Sequence, residues 1–239
     1  MSRLVKGELL KTATTRTGYA FLVGVVAFGV LNAVVVAAAS GGLDEVAEKQ
    51  EAFAGLPVLL MLWGLVGAAG EYRHRTAAPT VLVAGRDRGA VLLARIGAYA
   101  LTGLVIGAVT VAASVAVAVP LLRDDPGPDL TSAQVAAVAA GNLAAFVLSA
   151  IMGAAIGAMV RVPVVGVVVL LVVNFAVLPL VAGVAESAAD LTPFGAAAIL
   201  TRSTHHTTLS VGTAAVVVAA WAVALVIASV ASERRRDLA

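Results

Sequence analysis

Six long apolar stretches, separated by short polar segments, dominate the pattern of this 239-residue chain. Each stretch is continuously apolar, whereas the strands of a membrane barrel alternate apolar and polar positions. A helix needs about 20 apolar residues to cross the hydrocarbon core of a bilayer. The pattern therefore predicts an all-α, polytopic membrane protein, a single domain over 1–239 with six transmembrane helices at about 19–39, 53–70, 96–119, 134–160, 164–185 and 211–231.

The segment before the first span, "MSRLVKGELLKTATTRTGY", has an amphipathic pattern. Leu4, Val5 and Leu9 fall near one stripe of a helix, while Lys6 and Lys11 fall elsewhere. This arrangement is typical of a helix that lies in the membrane interface, so we expect an N-terminal amphipathic interfacial helix over 1–18. The alternative is a short disordered basic leader.

The connections between the spans differ in length and in the local structure that they predict. The link Arg161, Val162, Pro163 is so short that the fourth and fifth spans must form an antiparallel hairpin. The connection over 186–210 is long, and Thr192 and Pro193 can cap and start a short helix there. We expect this helix to lie at the outer surface.

Composition supports the membrane assignment and narrows the functional classes. Hydrophobic residues make up 61% of the chain and charged residues 13%, against about 25% charged in ordinary soluble domains. The net charge of +2 is small and the basic residues are dispersed, so no nucleic-acid partner is expected. Cysteine is absent, which excludes disulfides, thiolate nucleophiles and cysteine-ligated metals.

Lys and Arg predict the orientation of the chain in the membrane. Thirteen of the 16 lie at the two termini and in the second and fourth connections; Lys49, Arg123 and Arg202 lie on the other side. Because cytoplasmic segments are enriched in Lys and Arg, both termini are predicted to be cytoplasmic, in a multi-pass protein of the plasma membrane.

The predicted membrane interior contains no acidic residue, lysine or arginine. Ion-coupled carriers commonly use intramembrane ionisable groups, which this chain lacks there. Asn32, Asn142 and Asn174 lie inside the spans. Each can fix helix packing through a hydrogen bond or line a substrate path, and packing is the interpretation we favour. Gly103 with Gly107 and Gly153 with Gly157 have the spacing that lets two helices touch, although 23 glycines make chance matches common.

No catalytic or metal site is predicted from the sequence. A nucleotide-binding P-loop requires Gly-x-x-x-x-Gly-Lys followed by Ser or Thr; Lys11 precedes Thr12, but Leu10 stands where the second Gly belongs. His205 and His206 are adjacent and Glu186 lies upstream, yet this spacing is weak evidence for zinc. We interpret the two histidines as solvated loop residues and expect no cofactor in this chain.

The stretch "GEYRHRTAAPT" concentrates charge directly after the second span. It opens the largest connection on the predicted cytoplasmic side, 71–95. We expect a small helix beginning near Glu71 that lies against the membrane face and projects its charges into the cytoplasm as a docking surface. The alternative is a solvated loop whose arginines only enforce topology.

Together, the basic leader, six spans, "GEYRHRT" and the following "TVLVAGRDRGAVLLAR" resemble the membrane permease subunit of an ABC-2 type ABC exporter. Such permeases often read Glu-x-Arg-x-small-Thr here, which Glu71, Arg73 and Thr76 match. Arg75 departs from the pattern, because a small residue is commoner before the Thr. Arg95 stands where the family often has Lys.

The resemblance implies that 71–95 is a cytoplasmic coupling loop, in which Glu71, Arg73, His74 and Thr76 couple the chain to a separate ABC ATPase that binds ATP and Mg. Glu71 and Arg73 are the expected electrostatic contacts, and Thr76 is a cap or packing residue. It also implies a second permease copy or a similar permease, and export of a hydrophobic or amphipathic solute. The chain itself is then not an enzyme. The alternatives are a membrane-embedded metal-dependent hydrolase using His205, His206 and Glu186, or a stand-alone carrier or immunity-type membrane protein.

Overall fold

The computed structural model describes residues 2–39, 43–74, 76–123, 127–204 and 207–235, and these residues form helices without strands. The helices are, in chain order, α1 Ser2–Thr14, α2 Arg16–Ala39, α3 Val46–Glu51, α4 Pro57–Arg73, α5 Ala77–Ala84, α6 Arg88–Leu121, α7 Ser132–Val160, α8 Pro163–Val172, α9 Leu178–Val184, α10 Glu186–Asp190, α11 Pro193–Thr201 and α12 Val211–Arg235.

Five helical stretches among the described residues are long and apolar enough to cross a membrane: α2, α6, α7, the α8–α9 stretch and α12. The chain is therefore a multi-pass, all-helical membrane protein, as predicted. The second predicted span corresponds to α4, which has only 17 residues. α4 is shorter than the apolar run because the chain at 52–56 turns before Pro57 starts the helix.

The core of the bundle is the crossing of α4 and α7. A Cβ on Gly153 would overlap the carbonyl oxygen of Met61, and one on Gly157 would overlap that of Leu65. A Cβ on Gly64 would in turn lie 2.5 Å from the carbonyl oxygen of Ala150. The predicted packing role of Gly153 and Gly157 is thus confirmed, since only glycine lets the two backbones approach this closely.

The interruption between α3 and α4 lies inside the bundle, where two asparagines bind its backbone. The Gly55 N–H donates to the Asn142 side chain at 2.8 Å, and the Asn32 side chain donates to the Glu51 carbonyl oxygen at 2.8 Å. Buried backbone groups at a helix break need such partners. Asn32 and Asn142 thus make hydrogen bonds of the kind that the packing interpretation expects.

The fifth span is a helix with a π-helical turn, Val173–Val177, between α8 and α9. Pro179 lies two residues after this turn and has no N–H to donate to the carbonyl of Phe175, which removes one bond from the regular helical hydrogen-bond pattern. This stretch lies at the periphery: 11% of its most apolar window is buried, against 56% in α7.

The short helix predicted after Thr192 is confirmed as α11. The Thr192 side chain accepts a hydrogen bond from the Gly195 N–H at 3.0 Å, and Pro193 occupies the first turn. Instead of lying on the surface, α11 is buried against α7 and α12. Trp221 lies ten residues along α12, and its indole N–H donates to the Leu191 carbonyl oxygen. The chain just before α11 therefore lies about 15 Å along α12 from the start of that helix.

The amino-terminal helix is confirmed as α1 and packs on α6. Its most buried described side chains are polar, Glu8 and Thr12, one turn apart on one face. Thr12 and Thr102 share a hydrogen bond of 3.0 Å between their hydroxyls. α1 is thus fixed to the bundle through polar contacts, which the apolar stripe of Leu4, Val5 and Leu9 did not predict.

Candidate functional site

A cavity of about 500 Å³ opens between α1 and the carboxyl end of α4. All four residues that the resemblance assigned to partner coupling line it, together with two charged residues of α1: Glu71, Arg73, His74, Thr76, Glu8 and Lys11. Residues distant in the sequence thus meet at one end of the bundle, which we call the charged end.

Glu71, at the end of α4, is held by two cations. Its carboxylate lies 2.8 Å from the Lys11 ammonium and 3.3 Å from the Arg95 guanidinium. Its side chain is only 15% exposed. The carboxylate is therefore directed inwards and connects α4 to α1 and α6, whereas the sequence led us to expect a residue facing the cytoplasm.

Arg95 is the buried centre of this arrangement. Its side chain is 3% exposed and lies between the carboxylates of Glu71 and Glu8, the latter at 3.4 Å. Lys11 also pairs with Glu8, at 3.1 Å. Two acids and two bases thereby balance in charge, which offsets part of the cost of removing them from water.

A second ion pair joins the α7–α8 hairpin to the end of α12. The Arg161 guanidinium lies 2.9 Å from the carboxylate of Glu233, and the Tyr72 hydroxyl donates to the same carboxylate at 2.9 Å. The Tyr72 ring has Arg161 at 4.7 Å and Arg95 at 5.9 Å from its centroid. Tyr72 therefore connects the two ion-pair clusters, in part through cation–π attraction.

Two of these groups have shifted pKa values. Burial raises the pKa of the Glu71 carboxyl, but the Arg95 charge and the contact with Lys11 outweigh burial, so the pKa lies below 4.5. Burial, the Glu233 charge and the hydrogen bond to that carboxylate raise the pKa of Tyr72 to about 12. At neutral pH Glu71 is ionised and Tyr72 is protonated, the states that these contacts require.

The loop after α4 differs from the expected helix. α4 continues to Arg73 and the next helix begins at Ala77, not near Glu71. Thr76 donates from its hydroxyl to the Glu71 carboxylate and carbonyl, both at 3.1 Å, and makes no capping bond to α5. Thr76 therefore closes the loop on Glu71, while Arg73 and His74 are exposed.

The third intramembrane asparagine differs from the other two. Asn174 lies in the π-helical turn and lines a cavity of about 70 Å³ together with Ser149 of α7 and Ser203. Within the described part of the chain, Asn174 makes no hydrogen bond. Of the three candidates for a substrate path, Asn174 is the one whose side chain makes no hydrogen bond within the described residues, since Asn32 and Asn142 each bond to backbone groups.

The candidate metal ligands lie mostly outside the described residues. His205 and His206 fall in the gap at 205–206, and Glu186 is exposed at the start of α10. No group of three or more His, Asp or Glu residues that could hold a metal ion occurs in the described ranges.

Sequence reasoning did not find Glu8, Tyr72 and Glu233 as parts of the charged end. One signal was available: Glu8 is the single acid in a leader that is otherwise basic, and its position one turn from Thr12 gives a polar stripe. Tyr72 and Glu233 carry no such signal, because they bond to each other across 161 residues of sequence.

No protein-family model and no curated protein matches the chain.

Proposed function

We propose that this chain is the permease subunit of an ATP-driven exporter of the ABC-2 type, with α4 as a sixth span and both termini in the cytoplasm of a plasma-membrane protein. A separate ABC ATPase binds ATP and Mg, and a second copy or a similar permease completes the translocation path. The solute is hydrophobic or amphipathic.

The observation that carries this proposal is the position of Glu71. The loop that the resemblance assigns to partner docking begins at a carboxylate paired with Lys11 of α1 and Arg95 of α6. A force applied to this loop reaches two further helices through charged contacts. Through Tyr72 it also reaches Glu233 of α12.

The roles of the four coupling residues divide by exposure. Arg73 and His74 are exposed at the cavity and are the contacts offered to the ATPase. Glu71 and Thr76 bond to each other and hold the loop. Loss of Arg73 and His74 therefore weakens partner binding without disturbing the bundle.

The test is co-purification with a P-loop ATPase from a neighbouring gene, which the proposal requires. We expect Arg73→Ala combined with His74→Ala to weaken the complex, with unchanged yield of folded permease. Arg86→Ala is the matched control, since Arg86 is exposed on the same connection and does not line the cavity. Equal loss of the complex in both variants would contradict the assigned contacts. Absence of a neighbouring ATPase gene would favour a stand-alone carrier.

A further inference from the structure

Ser149 lines a cavity between α4, α7, the π-helical turn and α11. Ser149 is fully buried, and its Oγ has no hydrogen-bond partner within the described ranges. An unpaired buried hydroxyl costs free energy, and most such groups in proteins have partners. Its position beside a cavity therefore makes this hydroxyl a candidate partner for a bound group.

Asn174 lines the same cavity as Ser149. Its amide both donates and accepts hydrogen bonds. It lies in the π-helical turn Val173–Val177, and π turns occur often at functional sites. Two unpaired polar side chains on different helices thus border one small space.

The site lies deep between the two ends of the bundle. Eleven residues separate Ser149 from Val160 at the end of α7, and eleven separate Asn174 from Pro163 at the start of α8. At about 1.5 Å per residue, both are roughly 16 Å from the α7–α8 hairpin. That depth is near the middle of a hydrocarbon core about 30 Å thick.

The remaining lining restricts what can bind. It is otherwise mostly apolar, and none of its residues carries a charge: Gly55, Leu56, Pro57, Val58, Met61, Pro193, Phe194, Ala197, Ala198 and Ser203. An ionised group would have no counter-charge there and is excluded by its desolvation cost. The volume of about 70 Å³ is also far below the roughly 300–1,000 Å³ of a pocket for a whole drug-sized molecule.

From these observations we infer that Ser149 and Asn174 form a site for one small, uncharged hydrogen-bonding group, a hydroxyl or a carboxamide, of the transported solute. This inference rests on the proposed transport function and narrows its substrate class to neutral solutes that carry such a group. The apolar remainder of the solute stays outside the cavity.

The absence of cysteine makes a direct test possible, since a single introduced thiol is unique in the chain. Ser149→Cys and, as a second position on the cavity wall, Ala198→Cys are placed in lipid nanodiscs without any ATPase. The neutral reagent methyl methanethiosulfonate is added with propionamide, propionate or propylammonium as competitor. Ser229→Cys is the matched control, because Ser229 is buried and bonds to the Val226 carbonyl of its own helix.

We expect the thiol of Ala198→Cys, whose position is partly exposed, to react about tenfold or more faster than the thiol of Ser229→Cys, which close packing shields. Ser149 is as buried as Ser229, so a faster reaction of Ser149→Cys than of Ser229→Cys reports the cavity that Ser149 lines. Propionamide should slow the reaction, whereas the two charged competitors should not. Adding Asn174→Leu should weaken protection by propionamide about fivefold, the factor expected for one lost hydrogen bond.

The inference is overturned if the cavity thiols react no faster than the control thiol. It is also overturned if propionamide gives no protection, which would mean that the space holds only water. Equal protection by the charged competitors would overturn it as well. Because no ATPase is present, these outcomes are independent of the partner-binding test. Failure of that test with protection intact would retain the binding site and remove only the ATP-driven function.

Discussion

The two polar regions of this protein, the charged end and the cavity at Ser149, treat buried polar groups in opposite ways. At the charged end, Glu8 and Glu71 are largely shielded from solvent, and each is paired with the buried Arg95. In the cavity, Ser149 and Asn174 are neutral and make no hydrogen bond within the described residues. Paired groups hold helices together, whereas unpaired groups leave bonding capacity for a ligand. The difference separates structural polar residues from candidate binding residues.

The largest effect is expected at Arg95. Arg95→Met leaves the carboxylates of Glu8 and Glu71 without their buried counter-ion, which should cost about 3–5 kcal/mol of unfolding free energy. Chemical unfolding in detergent micelles measures this change. Arg86→Met is the matched control and should fall within about 0.5 kcal/mol of the parent protein, as exposed positions do. Similar losses in the two variants would mean that the charged end does not stabilise the bundle.

An intermediate effect is expected for the asparagine at the α3–α4 interruption. Asn142→Leu removes the acceptor of the Gly55 N–H and should cost about 1–3 kcal/mol, the penalty of an unsatisfied buried donor. The comparison variant is Asn174→Leu, which removes no hydrogen bond described in the structure and should change stability by less than about 0.5 kcal/mol. If Asn174→Leu destabilises as strongly as Asn142→Leu, Asn174 is a packing residue.

The smallest effect is expected at Ser149. Ser149→Ala removes a buried hydroxyl without a partner and should be neutral or slightly stabilising, since no hydrogen bond is lost. Ser229→Ala, which loses a bond to its own helix, should cost about 0.5–1.5 kcal/mol. Unfolding of both variants under the same conditions tests this order, and a larger loss for Ser149→Ala would show that its hydroxyl is paired.

Local patterns in the sequence predicted much of the fold. Continuous apolar runs predicted the long helices, the short link at 161–163 predicted the hairpin, and Thr192 predicted the start of α11. These features depend on residues close in the chain. Features that depend on distant partners were not predicted. The chain interrupts its helix at 52–56, where Asn32 and Asn142 bind the backbone, and the Glu8 side chain is buried.

The candidate site was predictable only in part. The motif around Glu71 and Arg73 drew attention to a connection whose first residues line a cavity in the structure, but the sequence predicted no cavity there. The motif did not show that the Glu71 carboxylate is directed inwards while Arg73 is exposed, because the direction of Glu71 is set by Lys11 and Arg95 on other helices. Similarly, nothing in the sequence distinguishes Asn174 from Asn32, since each is one asparagine in an apolar run.

The most direct test of the proposed function is the rate of ATP hydrolysis by the proposed partner ATPase in lipid nanodiscs that contain this chain. We expect the chain to change this rate, Arg73→Ala with His74→Ala to abolish the change, and Arg86→Ala to preserve it. A rate that is the same with the parent chain, with the double variant and without the chain would contradict the claim that energy enters through the loop at Glu71.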